Sequence, residues 1–255
     1  MIRIEHQLAE FRFWIIVTFS LRKIRQIITV LVKDKIFSEK KSQSSKIIIK
    51  LVSILDKLIF NMLRPTVTTW TSSHAHNGDF KKQLKDLFKS KSDRFEKPIV
   101  FSKGSLKMSY NISRKIIKDI ESQSGNPQIH VILLGDNNLR WLKNDANEVL
   151  AMFQFLLSRT KDVRKCKIIV GTLIPTLENI ENNLDTFINF DQALSEILDP
   201  KYEMLDLRKS LKSKNGEIKE KYYKSDGVHL NRSGAKVLTQ QIFNKVQRFP
   251  RSFFE

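Results

Sequence analysis

The hydrophobic pattern from Thr66 onward alternates between two periods. Short, almost wholly apolar runs are typical of strands that a sheet buries on both faces, and longer segments with apolar residues three or four positions apart predict helices. One such helix carries Ile112, Ile116 and Ile120 on one face. Five runs have the strand pattern: TVTTW at 66–70, KPIVFS at 97–102, IHVILLG at 129–135, CKIIVGTLIP at 166–175 and YEMLDL at 202–207. Because helical segments separate them, we predict an α/β domain with a five-stranded parallel sheet covered by helices on both faces.

The chain up to Pro65 has a different pattern, in which basic residues are interleaved with apolar ones. Its apolar stretch from Phe13 to Leu21 is too short to span a bilayer, so no transmembrane span is predicted there. No small-residue cleavage site of a signal peptide follows that stretch. We interpret residues 1–65 as a basic helical extension that docks on the rest of the chain or lies on a membrane surface, with an anchor-like leader as a third alternative. Residues 66–255 then form the α/β domain.

The charge balance of the chain is strongly basic. It has 45 Lys+Arg against 27 Asp+Glu, a formal net charge of +18, and the first 65 residues hold 13 basic against 5 acidic side chains, a net of +8. Such an excess favours phosphate-rich partners, either nucleic acid or an anionic membrane surface, without specifying a fold. A basic surface that only improves solubility accounts for the charge equally well.

Cysteine usage bears on the compartment. The chain has one cysteine, Cys166, which excludes an intramolecular disulfide bond and a zinc-finger spacing. This fits a reducing compartment and favours an intracellular over a secreted location. Its place in an apolar run predicts that Cys166 is a buried small hydrophobic residue.

Polar residues follow four of the five predicted strands. The loops read TSSHAHNGD, KGSL, GDNNLRW and SDGVHLN in chain order. In a parallel sheet, ligands bind beyond the carboxyl ends of the strands, which all four loops follow. Taken singly, each loop is well explained as a turn or a helix cap. Taken together, they supply a serine hydroxyl, a glycine N–H, an asparagine amide and an Asp/His pair, which are the groups needed for acyl transfer.

Sequence blocks in these loops resemble, in the same order, those of the SGNH (GDSL-type) hydrolases. DGVHLNRSGAKVL is similar to the family's D-x-x-H block, with Asp226 and His229 in its two positions. VILLGDNNL resembles the strand and turn that usually read G-x-N-D, and FSKGSL resembles the second block. The resemblance gives Asn137 as the oxyanion-hole asparagine and Gly104 as the block-two glycine. It implies a three-layer αβα, flavodoxin-like SGNH hydrolase fold with no cofactor.

The first block is the weakest match. It usually reads G-D-S, and WTSSHAH aligns with a G-D-S-H form, with Thr71 and Ser72 in place of Gly and Asp and Ser73 as the nucleophile. Ser105 in KGSL is a rival nucleophile. It leaves no room for a second strand and its glycine before Asn137, whereas Ser73 leaves that room. We therefore take Ser73 as the serine of the first block.

The resemblance implies a Ser-His-Asp mechanism of ester hydrolysis. Ser73 Oγ attacks the ester carbonyl, His229 takes the proton as general base, and Asp226 holds the imidazole. The backbone N–H groups of Ser73 and Gly104 and the side-chain amide of Asn137 form the oxyanion hole.

Further polar residues lie beside the proposed nucleophile and the asparagine. His74 and Asn138 are expected to line the substrate cleft. His74, His76 and Asp79 have an H-x-H spacing without a clear third and fourth ligand, so we predict no metal site.

Two functions from different classes fit these observations. The first is a serine esterase or acylhydrolase that acts on an ester-containing small molecule, lipid or glycan. The alternative is a non-catalytic SGNH-like domain that binds RNA or another polyanion through its basic surface, as the net charge and the altered first block favour. No feature of the sequence sets the oligomeric state.

Overall fold

A computed structural model describes residues 64–73, 78–91, 94–104, 106–123, 126–141, 145–177, 184–199, 201–213 and 217–249. The basic helical extension predicted for residues 1–65 lies outside the described residues except for its last two positions. His74, His76 and Ser105 also lie outside them.

Within these residues, five strands form one parallel sheet in the order β2-β1-β3-β4-β5. The strands are β1 (Thr66–Thr71), β2 (Ile99–Ser102), β3 (Gln128–Leu133), β4 (Cys166–Gly171) and β5 (Tyr202–Leu205). The helices are α1 (Gly78–Lys89), α2 (Tyr110–Ser122), α3 (Asp136–Trp141), α4 (Ala146–Thr160), α5 (Leu184–Glu196), α6 (Arg208–Leu211) and α7 (Arg232–Gln247). The predicted α/β architecture with a five-stranded parallel sheet is confirmed.

Helices cover both faces of the sheet, as the apolar runs require. Helices α1 and α7 pack against one face, and α2, α4 and α5 pack against the other. Within β3 the alternation is visible, because Ile129 and Val131 contribute to the first core and Ile132 to the second. Burial on both faces explains why this strand is a continuous apolar run.

The segment after β3 differs from the sequence-based expectation. The sequence predicts a loop or capped turn for GDNNLRW, but helix α3 begins at Asp136, directly after Gly135. Gly135 has a φ of +117°, a conformation that glycine adopts without strain. The chain therefore turns sharply at the end of β3, and Asn137 and Asn138 lie in the first turn of a helix.

A buried polar chain links β1, β3 and α2. Trp70 Nε1 donates to His130 Nδ1 at 3.4 Å, and His130 Nε2 lies 2.8 Å from Gln128 Oε1. Gln128 Nε2 in turn donates to the Ile120 carbonyl at 3.0 Å. Because the indole is only a donor, His130 must carry its proton on Nε2 and remain neutral. Burial lowers the pKa of His130 to about 3.

Acidification is expected to destabilise the fold through His130. In the unfolded chain the pKa of His130 is near 6.5, whereas in the folded protein it is about 3. As the pH falls from about 6.5 toward 3, the unfolded state therefore binds a proton at this residue and the folded state does not. Between pH 7 and pH 5 this linkage removes about 2 kcal/mol of unfolding free energy. Urea unfolding of the wild type and His130→Gln across this range measures it. The variant should lose less stability on acidification, and parallel pH profiles would contradict the assignment.

Cys166 is buried, as predicted, and burial raises the pKa of its thiol to about 12. In the part of the chain that the structure describes, no helix is long and apolar enough to cross a membrane.

Candidate active site

The register of the sheet brings three of the predicted site loops to one edge. Strand β1 lies between β2 and β3, and its last residue, Thr71, pairs with Ser102 on one side and Leu133 on the other. Ser73 and Gly104 therefore each lie two residues beyond the same paired position. Since the strands are parallel, the segments that carry Ser73, Gly104 and Asn137 all leave the sheet at the carboxyl ends of its strands.

The DGVH segment is a tight loop that closes on itself. An isolated antiparallel bridge joins Tyr223 to Leu230, and the Lys224 N–H donates to the His229 carbonyl at 2.8 Å. At its centre the Gly227 N–H donates to the Lys224 carbonyl at 3.0 Å. Gly227 has a φ of +63°, which explains the glycine after the aspartate, because other residues adopt this conformation at a cost.

The residues after the loop form the start of helix α7. Asn231 is its N-cap, and its Oδ1 accepts the backbone N–H groups of Ser233 and Gly234. A Cβ atom on Gly234 would lie 2.3 Å from the carbonyl oxygen of Tyr222, so this position requires glycine. The sequence LNRSG is thus accounted for by the geometry that anchors the DGVH loop to the helix.

Asp226 and His229 form a hydrogen-bonded pair. His229 Nδ1 lies 2.8 Å from Asp226 Oδ2, and the other carboxylate oxygen accepts the backbone N–H groups of Val228 at 2.9 Å and His229 at 2.8 Å. The side chains are 36% and 46% exposed for His229 and Asp226, so the pair faces solvent.

The electrostatics of the pair keep Asp226 ionised. Burial opposes ionisation of this carboxyl group, but the hydrogen bonds from the His229 backbone and side chain and from the Val228 N–H hold its pKa well below its usual range. The carboxylate therefore accepts a hydrogen bond from the Nδ1–H group of His229, and this tautomer leaves Nε2 as the nitrogen with a lone pair.

Contacts with two other elements hold this loop in place. The Leu177 N–H donates to the Gly227 carbonyl at 2.7 Å, and the Tyr223 hydroxyl donates to the Pro175 carbonyl at 2.7 Å, so the segment after β4 supports the loop. Helix α7 packs against α1, and Gln83 Nε2 of α1 donates to the carbonyl of Arg232, the first residue of α7. Because α1 is the helix that follows β1, this packing places the DGVH loop on the same side of the domain as α1.

A buried hydrogen bond joins the loop after β1 to the first residue of α3. Ser72 Oγ donates to Asp136 Oδ2 at 3.0 Å, with Ser72 1% exposed and Asp136 5% exposed. Sequence reasoning gave Asp136 no role, although its place between the strand-ending glycine and Asn137 is visible in the sequence. The hydrogen bond depends on a contact between residues 64 positions apart, which no local pattern reveals.

The two asparagines of α3 hold the loop after β2. Asn137 Nδ2 donates to the Leu106 carbonyl at 3.1 Å. Asn138 accepts the Met108 N–H through Oδ1 and donates to the Met108 carbonyl through Nδ2, both at 2.8 Å. Asn138 is 2% exposed, so its amide serves to hold the backbone, and contact with a substrate at this residue stays a prediction.

The structure describes two groups of predicted catalytic and oxyanion-hole residues. Asp226 and His229 are in direct contact, and Ser73, Gly104 and Asn137 lie beyond the ends of three neighbouring strands. Ser73 and Gly104 are partly exposed, whereas Asn137 is buried. The predicted cleft residue His74 lies outside the described residues.

A cleft of about 560 Å³ adjoins the carboxyl ends of β4 and β5. In its wall, the Arg208 guanidinium pairs with the Asp191 carboxylate, which also accepts the Leu173 N–H at 3.1 Å. Burial raises the pKa of Asp191 to about 7, although the neighbouring Arg208 favours the ionised form. The pair joins α5 to the segment after β5, and sequence reasoning had assigned neither residue.

Solved structures that superpose on this chain include esterases and a lipase. An acetylxylan esterase from Geobacillus stearothermophilus superposes with a TM-score of 0.59 at 14% identity, covering 74% of this chain and 98% of that one. A carbohydrate esterase family 3 protein from Talaromyces cellulolyticus gives 0.57 at 15% identity, covering 72% and 97%. A GDSL-like lipase from Bacteroides thetaiotaomicron gives 0.55 at 13% identity, covering 72% and 88%.

Comparisons by sequence, unlike those by structure, find no match to this chain. No protein-family model matches the chain, and no curated protein sequence matches it significantly. At 13–15% identity the superpositions show a shared fold, which agrees with the fold that the sequence blocks implied.

Proposed function

We propose that this protein is a serine hydrolase of carboxylic esters, with Ser73, His229 and Asp226 as its catalytic triad. The observation that carries the proposal is the Asp226–His229 pair. Its carboxylate is kept ionised and bonded to Nδ1, which is the arrangement that makes Nε2 a general base. The solved structures of similar fold support this class of reaction, since they are named as esterases and a lipase.

The reaction proceeds in two steps through an acyl-enzyme. Ser73 Oγ attacks the ester carbonyl while His229 Nε2 takes the hydroxyl proton, and the imidazolium then gives that proton to the departing alcohol. A water molecule next attacks the acyl-serine, with Nε2 again taking the proton. Return of the proton to Ser73 Oγ releases the carboxylic acid and the free enzyme. Asp226 stabilises the imidazolium in both steps.

Three hydrogen-bond donors stabilise the negatively charged oxygen of the tetrahedral intermediates. These are the backbone N–H groups of Ser73 and Gly104 and the side-chain amide of Asn137. A carboxamide has two N–H bonds. The Leu106 carbonyl takes one of those of Asn137, which holds the amide in place, and the other is the bond we assign to the oxyanion.

A covalent probe tests the proposal and separates it from the polyanion-binding alternative. A fluorophosphonate should label the wild type and the Ser105→Ala variant but not Ser73→Ala, and peptide mapping should locate the adduct on Ser73. Labelling of Ser105, or absence of labelling together with salt-sensitive RNA binding, would contradict an esterase centred on Ser73. Acetyl esters suit the accompanying rate assay, because one fold relative is named for acetylxylan.

Removal of the Asn137 amide is expected to lower kcat for p-nitrophenyl acetate by about 10²–10³-fold, as is usual when one oxyanion donor is lost. The substrate KM should change little, because the donor acts on charge that develops in the transition state. Steady-state kinetics of Asn137→Ala measures this. Asn244→Ala, at an exposed asparagine of α7, is the control and should retain wild-type rates. An unchanged kcat in Asn137→Ala would remove Asn137 from the oxyanion hole.

A further inference from the structure

We infer that the hydrogen bond between Ser72 and Asp136 positions the nucleophile against the oxyanion hole. The inference rests on the proposed function and adds a positioning pair to it. Neither residue touches the reacting atoms in the mechanism above. Each acts through the next residue of the chain, because Ser72 precedes Ser73 and Asp136 precedes Asn137.

The bond has the geometry and burial of a fixed structural contact. Ser72 Oγ lies 3.0 Å from Asp136 Oδ2, and both side chains are almost completely buried. A hydroxyl that donates to a carboxylate forms a stronger hydrogen bond than a neutral pair does. Loss of the hydroxyl would remove one hydrogen-bond donor from a buried carboxylate, which lowers the free energy of unfolding.

The bond also completes a set of contacts made by three consecutive residues. Asp136 contacts the loop after β1, whereas Asn137 and Asn138 contact Leu106 and Met108 in the loop after β2. The first turn of α3 therefore contacts both loops that carry the other predicted oxyanion donors. A shift of the Ser72 backbone relative to α3 would move Ser73 away from Asn137.

Thr71 provides a contrast at the preceding position. Both Thr71 and Ser72 are buried and both replace residues usual in the first block, but Thr71 Oγ1 has no hydrogen-bond partner among the described residues. Of these two hydroxyls, that of Ser72 is the one that connects the loop after β1 to α3. Thr71→Val, which keeps the side-chain shape and removes the hydroxyl, is therefore a matched control for Ser72→Ala.

Kinetics of the two variants test the inference. Ser72→Ala should lower kcat for p-nitrophenyl acetate by about 10–100-fold, the usual effect of a small misplacement of a catalytic group. Its KM should stay within about threefold of the wild-type value, and Thr71→Val should change neither constant by more than about twofold. Asp136→Asn keeps an acceptor for the Ser72 hydroxyl and should retain more activity than Asp136→Ala. Equal kcat values for Ser72→Ala and Thr71→Val would overturn the inference.

A second readout does not depend on catalysis and separates this inference from the proposed function. The NMR signal of the Asn137 side-chain amide should shift in Ser72→Ala and stay in place in Thr71→Val. An unchanged amide signal in the folded Ser72→Ala variant would refute the positioning role. An inactive wild type would refute the proposed function, with or without that shift.

Discussion

Substitution of Ser73 by alanine is expected to lower kcat for short-chain ester hydrolysis by about 10⁶-fold, because loss of the nucleophile removes the acyl-enzyme route. A small excess over the uncatalysed rate should persist, since the oxyanion donors remain. Ser73 is partly exposed, so the variant should fold with a stability within about 0.5 kcal/mol of the wild type. Steady-state assays with p-nitrophenyl acetate and urea unfolding measure the two quantities.

The Ser105→Ala variant is the control for Ser73→Ala. Ser105 follows Gly104 in the segment after β2 and has the sequence context KGSL, which resembles a G-D-S-L motif. Its variant should keep kcat near the wild-type value. If Ser105→Ala lost activity and Ser73→Ala kept it, the nucleophile would have been assigned to the wrong strand.

Replacement of Asp226 by asparagine is expected to lower kcat by about 10⁴-fold with little change in structure. The asparagine oxygen can still accept the backbone N–H groups of Val228 and His229, so the loop should keep its shape. Its amide would instead donate to His229 Nδ1, which forces the proton onto Nε2. The imidazole would then lack the basic nitrogen that takes the proton of Ser73.

Asp206→Asn is a matched control for this change. Asp206 is exposed and also accepts a backbone N–H, that of Lys209, through Oδ1, but it has no role in the proposed triad. Its variant should show wild-type kinetics. Comparable losses in both variants would indicate a general effect of removing carboxylates, and activity in Asp226→Asn would remove Asp226 from the triad.

The pattern of apolar residues is sufficient to predict much of the fold. A strand that is covered on both faces must be apolar throughout, so β3 and β4 stand out in the sequence. The position of the DGVH loop followed in the same way, because the periodic apolar residues of α7 begin directly after it. These features depend on residues that are close together in the chain.

The side-chain contacts between elements far apart in the chain could not be predicted in that way. Ser72 and Asp136 are 64 positions apart, and Trp70 and His130 are 60 positions apart. Each pair consists of ordinary polar residues whose partner is determined by strand order. The helix start at Asp136 was missed for a related reason, since α3 is only six residues long and has too little apolar periodicity to predict a helix.

The central claim is that residues from the segments after four strands form one site for ester hydrolysis. A crystal structure of the protein after reaction with a fluorophosphonate tests this claim most directly. The phosphonyl group should be bonded to Ser73 Oγ, with its oxygen 2.7–3.1 Å from the backbone nitrogens of Ser73 and Gly104 and from Asn137 Nδ2. A phosphonyl oxygen directed away from these donors, or an adduct on another residue, would contradict the proposed site.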